Sequence, residues 1–229
     1  MGFRWMAAFG IALLAGMSWA EDAVVLKTQK DKFSYGIGMN IGKNLKNDVV
    51  DVDTDLVSKG LKDVFSGGKT LMNDEEYRAT MNALQKDLMD KQAEAAKKLA
   101  EKNKKEGEAF LAENGKKEGV VTLPSGLQYK EIQSGKGKTP NSGDTVETHY
   151  RGTLIDGTEF DSSYKRGQTV TFPVNGVIPG WTEALQKMKE GDKWQLFVPS
   201  SLAYGERGAG REIGPNATLI FEVELIAVK

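Results

Sequence analysis

The last third of the chain carries a set of aromatic and aliphatic residues interrupted by few polar groups: Tyr150, Phe160, Asp161, Phe172, Val177, Ile178, Trp181, Tyr204, Ile213 and Phe221. Almost nothing in that set ionises near neutrality. It suits an apolar cup with one carboxylate and one or two phenols at its wall, and it does not suit nucleophilic or metal chemistry. A reaction that needs only a shaped, apolar surface would fit, and rotation about a peptide bond is such a reaction.

The plainer reading of the same residues is a sheet core, which is what most buried aromatics are. Two features favour a site. Asp161 directly follows Phe160 at the end of a hairpin, and a carboxylate beside aromatic rings needs a partner or solvent. The run Val177-Ile178-Pro179-Gly180-Trp181 places apolar side chains in a loop that enters a helix, where backbone N–H groups lack partners.

Other chemistries fail on spacing or composition. Gly36-Ile37-Gly38 lacks the third glycine of a dinucleotide loop and has no strand before it. Gly137-Lys138-Thr139 resembles the tail of a phosphate loop, but Ile132 stands where the upstream glycine is required. The chain has no cysteine and a single histidine, His149, so thiolate chemistry and an ordinary His/Cys zinc site are excluded. Strand alternation puts Val146, Thr148 and Tyr150 on one face and Glu147, His149 and Arg151 on the other, so His149 is expected to be a solvated strand residue pointing away from the cup. A formal net charge of −1 provides no basic field for nucleic acid. No cofactor and no metal is expected.

The elements that must position the cup are strands. Leu127–Ile132, Thr145–Gly152, Thr169–Val174, Lys193–Val198 and Thr218–Val228 have strand composition, Ser134–Gly137 forms a turn, and Asp156-Gly157 is a strong hairpin turn. One helical segment follows Pro179 through Trp181, Leu185 and Met188 and is closed by Gly191. The expectation for residues 119–229 is an α+β domain, an antiparallel sheet wrapped on one short helix.

Upstream the pattern is helical. In residues 21–72, Phe33, Ile37, Ile41 and Leu45 recur every fourth residue, with Gly38 and Gly42 beside the stripe. A helical glycine costs about 1 kcal/mol against alanine, so these two point to close backbone approach. A second helix is capped by Asp53 or Thr54, carries Leu56, Val57, Gly60, Leu61, Val64 and Phe65 on one face, and ends at Gly67-Gly68. Two short helices bury little alone, so a partner is implied, most simply a second copy of the chain. Residues 73–115 form one long helix, opened by Asn73 with Glu76 and stopped by Gly115. Asp90–Glu108 is almost all Lys, Glu, Asp, Ala and Gln, which reads as a solvated, stiff spacer with a bend available at Gly107.

Residues 1–20 read as a secretory signal: Arg4, the apolar stretch Met6–Met17, then Ser18-Trp19-Ala20 with cleavage before Glu21. The apolar run is short for a membrane span, so no integral span is expected after cleavage.

At the cup residues the sequence resembles the FKBP-type peptidyl-prolyl cis-trans isomerases. The resemblance covers 122–229 and rests on His149-Tyr150 with Gly152, Asp156–Ser162, Val177–Trp181, Leu202-Ala203-Tyr204-Gly205 and Asn216–Phe221. Phe33–Gly38 and the linker Val121–Tyr129 resemble the bacterial macrophage infectivity potentiator subgroup. The resemblance implies an exported protein, in the periplasm or at the outer membrane or cell surface, that is a homodimer through its N-terminal helices and acts on proline-containing unfolded or extended polypeptides. It implies Trp181 as the floor under the proline ring, Phe160 and Phe221 as walls, the Ile178 amide and the Tyr204 hydroxyl as donors to substrate carbonyls, and Asp161 as the organiser of the polar side. Tyr150, Phe172, Val177 and Ile213 would complete the pocket. One departure is visible: Val170 stands where some members carry an aromatic, and the Glu206–Glu212 loop is short, without the inserted chaperone flap of some relatives. A holdase chaperone with incidental isomerase activity is the alternative function, and a proline-peptide binding module without turnover is a weaker one.

Overall fold

Three adjacent strands, two of them long and alternating between inward and outward residues, carry the C-terminal half. In this computed structural model, which describes residues 25–47 and 50–229, they are β3 (Thr145–Leu154), β6 (Lys193–Val198) and β7 (Leu219–Val228). On β3 the buried positions are Val146, Thr148, Tyr150 and Gly152, and on β7 they are Leu219, Phe221, Val223 and Leu225. This period of two gives each strand one face toward a core. Register follows: Tyr150 opposes Val223, Gly152 opposes Phe221, and Leu196 of β6 opposes Phe221 from the other side.

Four more strands complete an antiparallel sheet of seven: β1 (Val120–Thr122), β2 (Gln128–Gln133), β4 (Glu159–Ser162) and β5 (Val170–Pro173). Its order is β1-β2-β6-β7-β3-β4, with β5 also paired to β3. The β3–β4 turn is Asp156-Gly157, where Gly157 takes φ +88° and the Asp156 carboxylate accepts the Thr158 N–H at 2.9 Å. The single turn α4 (Ser163–Arg166) follows β4.

One helix, α5 (Pro179–Leu185), supplies the other half of the core. Proline at its first turn forfeits a donor that has no intrahelical partner in any case. Trp181, Ala184 and Leu185, spaced i, i+3, i+4, are buried in the same cluster as Tyr150, Leu196, Phe221 and Val223. Each fully buried Leu- or Phe-sized side chain stabilises by about 1.5–3 kcal/mol, so this helix face and the sheet hold each other. The architecture is the α+β arrangement expected, with strand limits shifted by a few residues and with β1, β4 and α4 added.

The helices upstream are α1 (Gln29–Asn47), α2 (Thr54–Phe65) and α3 (Asp74–Asn114). The contacts divide the chain between Glu75 and Glu76. In the first unit Asp53 caps α2, accepting the Asp55 and Leu56 N–H groups at 2.8 and 3.1 Å. Neither α1 nor α2 buries a residue, and Phe33, Ile37, Leu56 and Val64 are all at least 60% exposed. Among the described residues nothing outside the helix's own backbone comes within 4 Å of a side-chain position built at Gly38 or Gly42, so the close approach expected there is not made by them. The expected signal at residues 1–20 lies outside the described residues.

Helix α3 is solvated over most of Asp90–Glu108, as expected, but it is more than a spacer. It runs unbroken through Gly107, and its last four turns dock on the sheet unit. Gly107 and Asn114 are buried, Phe110 lies 6.0 Å from the Phe197 ring, and Asn114 donates to the Gln128 side chain at 3.0 Å. Gly107 therefore does not serve a bend. A Cβ there would collide with Thr218 Oγ1 and lie 3.2 Å from the Thr218 Cβ, so glycine is what lets helix and segment touch.

Candidate active site

All ten residues singled out in the sequence line one cavity of about 580 Å³, joined by Gly176. The positioning elements differ. β3 brings Tyr150, β4 brings Phe160 and Asp161, β5 brings Phe172, and β7 brings Phe221. The entry to α5 brings Val177, Ile178 and Trp181, and the segment between β6 and β7 brings Tyr204 and Ile213.

Trp181 is the hub. It meets Tyr150, Phe172 and Phe221 edge-to-face, with centroids 5.3, 5.9 and 5.3 Å away and planes 81–87° apart. That geometry sets the positive edge of one ring on the negative face of another. Phe160 and Phe221 meet in the same way at 5.6 Å and 84°. Gly152 makes this pairing possible, because a Cβ there would sit 2.6 Å from the Phe160 ring and 2.9 Å from Phe221. Trp181 is 4% exposed, and its indole N–H is buried without an acceptor among the described residues. A rigid, apolar floor results.

The polar side is one cluster. The Tyr150 hydroxyl donates a short hydrogen bond to Asp161 and accepts one from Arg166 at 2.9 Å, while Arg166 also pairs with Asp161. Burial opposes the charge of Asp161, but the Tyr150 hydroxyl and the Arg166 guanidinium outweigh it and hold the carboxyl below the usual carboxylate range. Burial, reinforced by the bond to Asp161, pushes the Tyr150 phenol up. Neither group is poised to exchange a proton near neutrality. Arg166 was not singled out in the sequence. The available signal was a cation five residues after Asp161, close enough for a helical turn to return it to the carboxylate.

Besides the buried Trp181 indole, the Ile178 N–H at the start of α5 and the Tyr204 hydroxyl at the cavity have no acceptor among the described residues. Tyr204 is 41% exposed, so its hydroxyl is accessible.

His149 departs from the expected solvated residue. It is half-buried, stacks on Tyr164 at 4.6 Å, and its Nδ1 lies 2.9 Å from Ser163 Oγ. This pair is not a nucleophile and base: Ser163 is fully buried, and its hydroxyl is held by the Tyr150 backbone, taking the N–H at 2.7 Å and giving to the carbonyl at 3.1 Å. His149 points away from the cavity as alternation requires, and Tyr164 covers it.

Comparison with known proteins agrees with this geometry. A family model described as FKBP-type peptidyl-prolyl cis-trans isomerase matches residues 136–226, and one described as the domain amino-terminal to that isomerase matches residues 30–130. Outer membrane protein MIP of Legionella longbeachae is 51% identical over 223 residues, spanning 97% of this chain and 95% of its own length. The chain belongs to the FKBP-type peptidyl-prolyl cis-trans isomerases. Peptidyl-prolyl cis-trans isomerase Mip of Coxiella burnetii is 46% identical over 219 residues, covering 96% of this chain and 95% of that one. Among solved structures, FkpA of Escherichia coli superposes with a TM-score of 0.71 at 37% identity, covering 90% of this chain and 99% of its own. The pocket combines edge-to-face rings with the unclaimed Ile178 and Tyr204 donors.

Proposed function

We propose that this FKBP-type isomerase turns Xaa-Pro bonds by holding the proline ring on Trp181 between Phe160 and Phe221 while the Ile178 N–H and the Tyr204 hydroxyl grip carbonyls of the flanking chain. The observation that carries the assignment of roles is the pair of unclaimed donors beside a floor of edge-to-face rings. Prolyl rotation has a barrier of about 18–20 kcal/mol because amide resonance must be broken. The twisted amide has less charge separation than the planar one. An apolar pocket therefore favours it relative to water, and two fixed donors hold the chain in a turn as rotation proceeds. No bond to substrate is made and no proton is transferred. Asp161, held charged by Arg166 and Tyr150, fixes the polar wall, and Tyr150, Phe172, Val177 and Ile213 shape the rest.

The activity belongs to residues 119–229, with 73–115 as a connecting helix and 21–72 as the dimerisation region. The exposed apolar faces of α1 and α2, the match of residues 30–130 to the domain amino-terminal to such isomerases, and the likeness to FkpA support a homodimer formed through those helices. The signal pattern at residues 1–20 and the name of the Legionella relative, an outer membrane protein, support export to the periplasm or outer envelope, with clients that are unfolded or extended proline-containing polypeptides. No helix among the described residues is long and apolar enough to cross a membrane. Nothing in the geometry favours a holdase over the isomerase.

The test is a prolyl-isomerisation assay on residues 21–229, with sedimentation run on the same sample. Acceleration that Trp181→Ala and Tyr204→Ala reduce and Lys116→Ala does not is the expected result. Equal rates in all three would reject the assigned pocket.

A further inference from the structure

Between Tyr204 and β7 the chain has little regular structure, only the helical turn Gly205–Arg207 and one bridge between Ala209 and Ile213. Yet this segment places two pocket residues, Tyr204 and Ile213. Something must hold it. Inside the segment the Asn216 N–H bonds the Gly205 carbonyl at 2.8 Å, with Asn216 in the left-handed region at φ +56°. The Ala209–Ile213 pair exchanges two more bonds, at 2.8 and 3.1 Å, and Ile213 is buried in the core cluster. Further support comes from α3.

Asn103 of α3 donates from Nδ2 to the Pro215 carbonyl at 2.8 Å, and Asn216 Nδ2 reaches back to the Ala100 carbonyl at 3.5 Å. Gly214 packs against Leu99 and Asn103: a Cβ there would lie 3.1 Å from Leu99 Cδ2 and 3.1 Å from Asn103 Nδ2. One turn on, Gly107 meets Thr218, with no room for a side chain between them. Consecutive residues thus face opposite ways, Ile213 into the pocket and Gly214 and Pro215 against the helix. The approaches at Gly107 and Gly214 are tight enough to transmit a displacement, beside a cavity of about 420 Å³ that Leu99, Asn103, Ala217 and Thr218 also line.

We propose that Asn103 and Gly107 are positioning residues for isomerisation: from α3 they seat the 205–218 segment and so set the Tyr204 hydroxyl and the Ile213 side chain against substrate. The proposal rests on the isomerase reading above. It gives α3 a part in catalysis, through the other side of the pocket wall.

The test uses the full chain and one proline peptide. Gly107→Ala should lower kcat/KM by about tenfold, since a misplacement near 1 Å can cost up to about 10² in rate. Adding Thr218→Ala, which removes the colliding oxygen, should recover most of the loss. Asn103→Ala should lower kcat/KM at an unchanged urea midpoint and move the amide resonances of Tyr204 and Ile213. Native rates in Gly107→Ala or in Asn103→Ala, a double variant no better than Gly107→Ala, or a slower Asn103→Ala with Tyr204 and Ile213 unmoved would each overturn the proposal. If Gly107→Ala does not fold, Asn103→Ala decides alone by the same criteria. A native chain with no isomerase activity would sink the functional reading instead.

Discussion

Helices α1 and α2 and the sheet unit use apolar residues in opposite ways. In the sheet unit Trp181, Phe221, Leu196 and Val223 are buried in one cluster, and the rings that remain partly exposed, such as Phe160 and Phe172, line a cavity. In α1 and α2 no residue is buried, and Phe33, Ile37 and Val64 are each more than 60% exposed. A hydrophobic stripe that stays exposed in one chain suits the homodimer proposed above, whereas partly exposed rings around a buried indole line a pocket. Substitutions in the first region should therefore change assembly and leave chemistry alone, and substitutions in the second should do the reverse.

Trp181→Ala should produce the largest effect. It removes the floor and the three ring contacts, so the rate on a proline peptide should fall by about two orders of magnitude or more, as expected when both grip and geometry are lost. Loss of a buried tryptophan should also cost about 3–5 kcal/mol in urea unfolding. Lys116→Ala, which breaks only an exposed ion pair to Glu113, should leave both measurements unchanged. Next comes Gly152→Ala. The added methyl must push Phe160 or Phe221 off its place, so activity should drop by about tenfold while the sheet survives, because overpacking typically costs about 1–3 kcal/mol. Circular dichroism beside the rate assay separates the two effects.

On the other side of the comparison, Phe33→Asp with Ile37→Asp should halve the sedimenting mass and leave the rate on a short peptide as it was. A slowed peptide reaction would erase the proposed division between the two regions. The smallest effect concerns pH. Asp161 has a depressed folded-state pKa, so the stability its charge contributes is present above its unfolded pKa and is lost as pH falls through the folded value. Arg166→Ala removes a lowering influence. The acid limb of both activity and stability should move to higher pH in that variant, read from a pH series on the two proteins.

The same contrast explains how much was legible in the sequence. Strands β3 and β7 announce themselves by alternation, and much of the pocket by aromatic residues in loops and strands. The docking of α3 was hard to read because Leu99, Phe110 and Leu111 are too sparse to set a hydrophobic period, and the rest of the contact face, Ala100, Asn103, Gly107 and Asn114, is small or polar. Their signal is steric, an absent side chain and a placed amide, and it needs the partner segment in view. Arg166 was missed because a lone cation in a short turn is ordinarily solvated, and only the fold returns it to Asp161. His149 was read as solvated because alternation gives the side of a strand and not what covers it, here Tyr164.

The central claim is that torsion is eased by an apolar surface and fixed donors, with no proton in transfer and no bond to the enzyme. The most direct measurement is the exchange rate of one proline peptide on the enzyme in ordinary and deuterated water at matched acidity. The account predicts nearly equal rates. A several-fold slowing in deuterated water would mean that a proton moves in the rate-limiting step, and would contradict it.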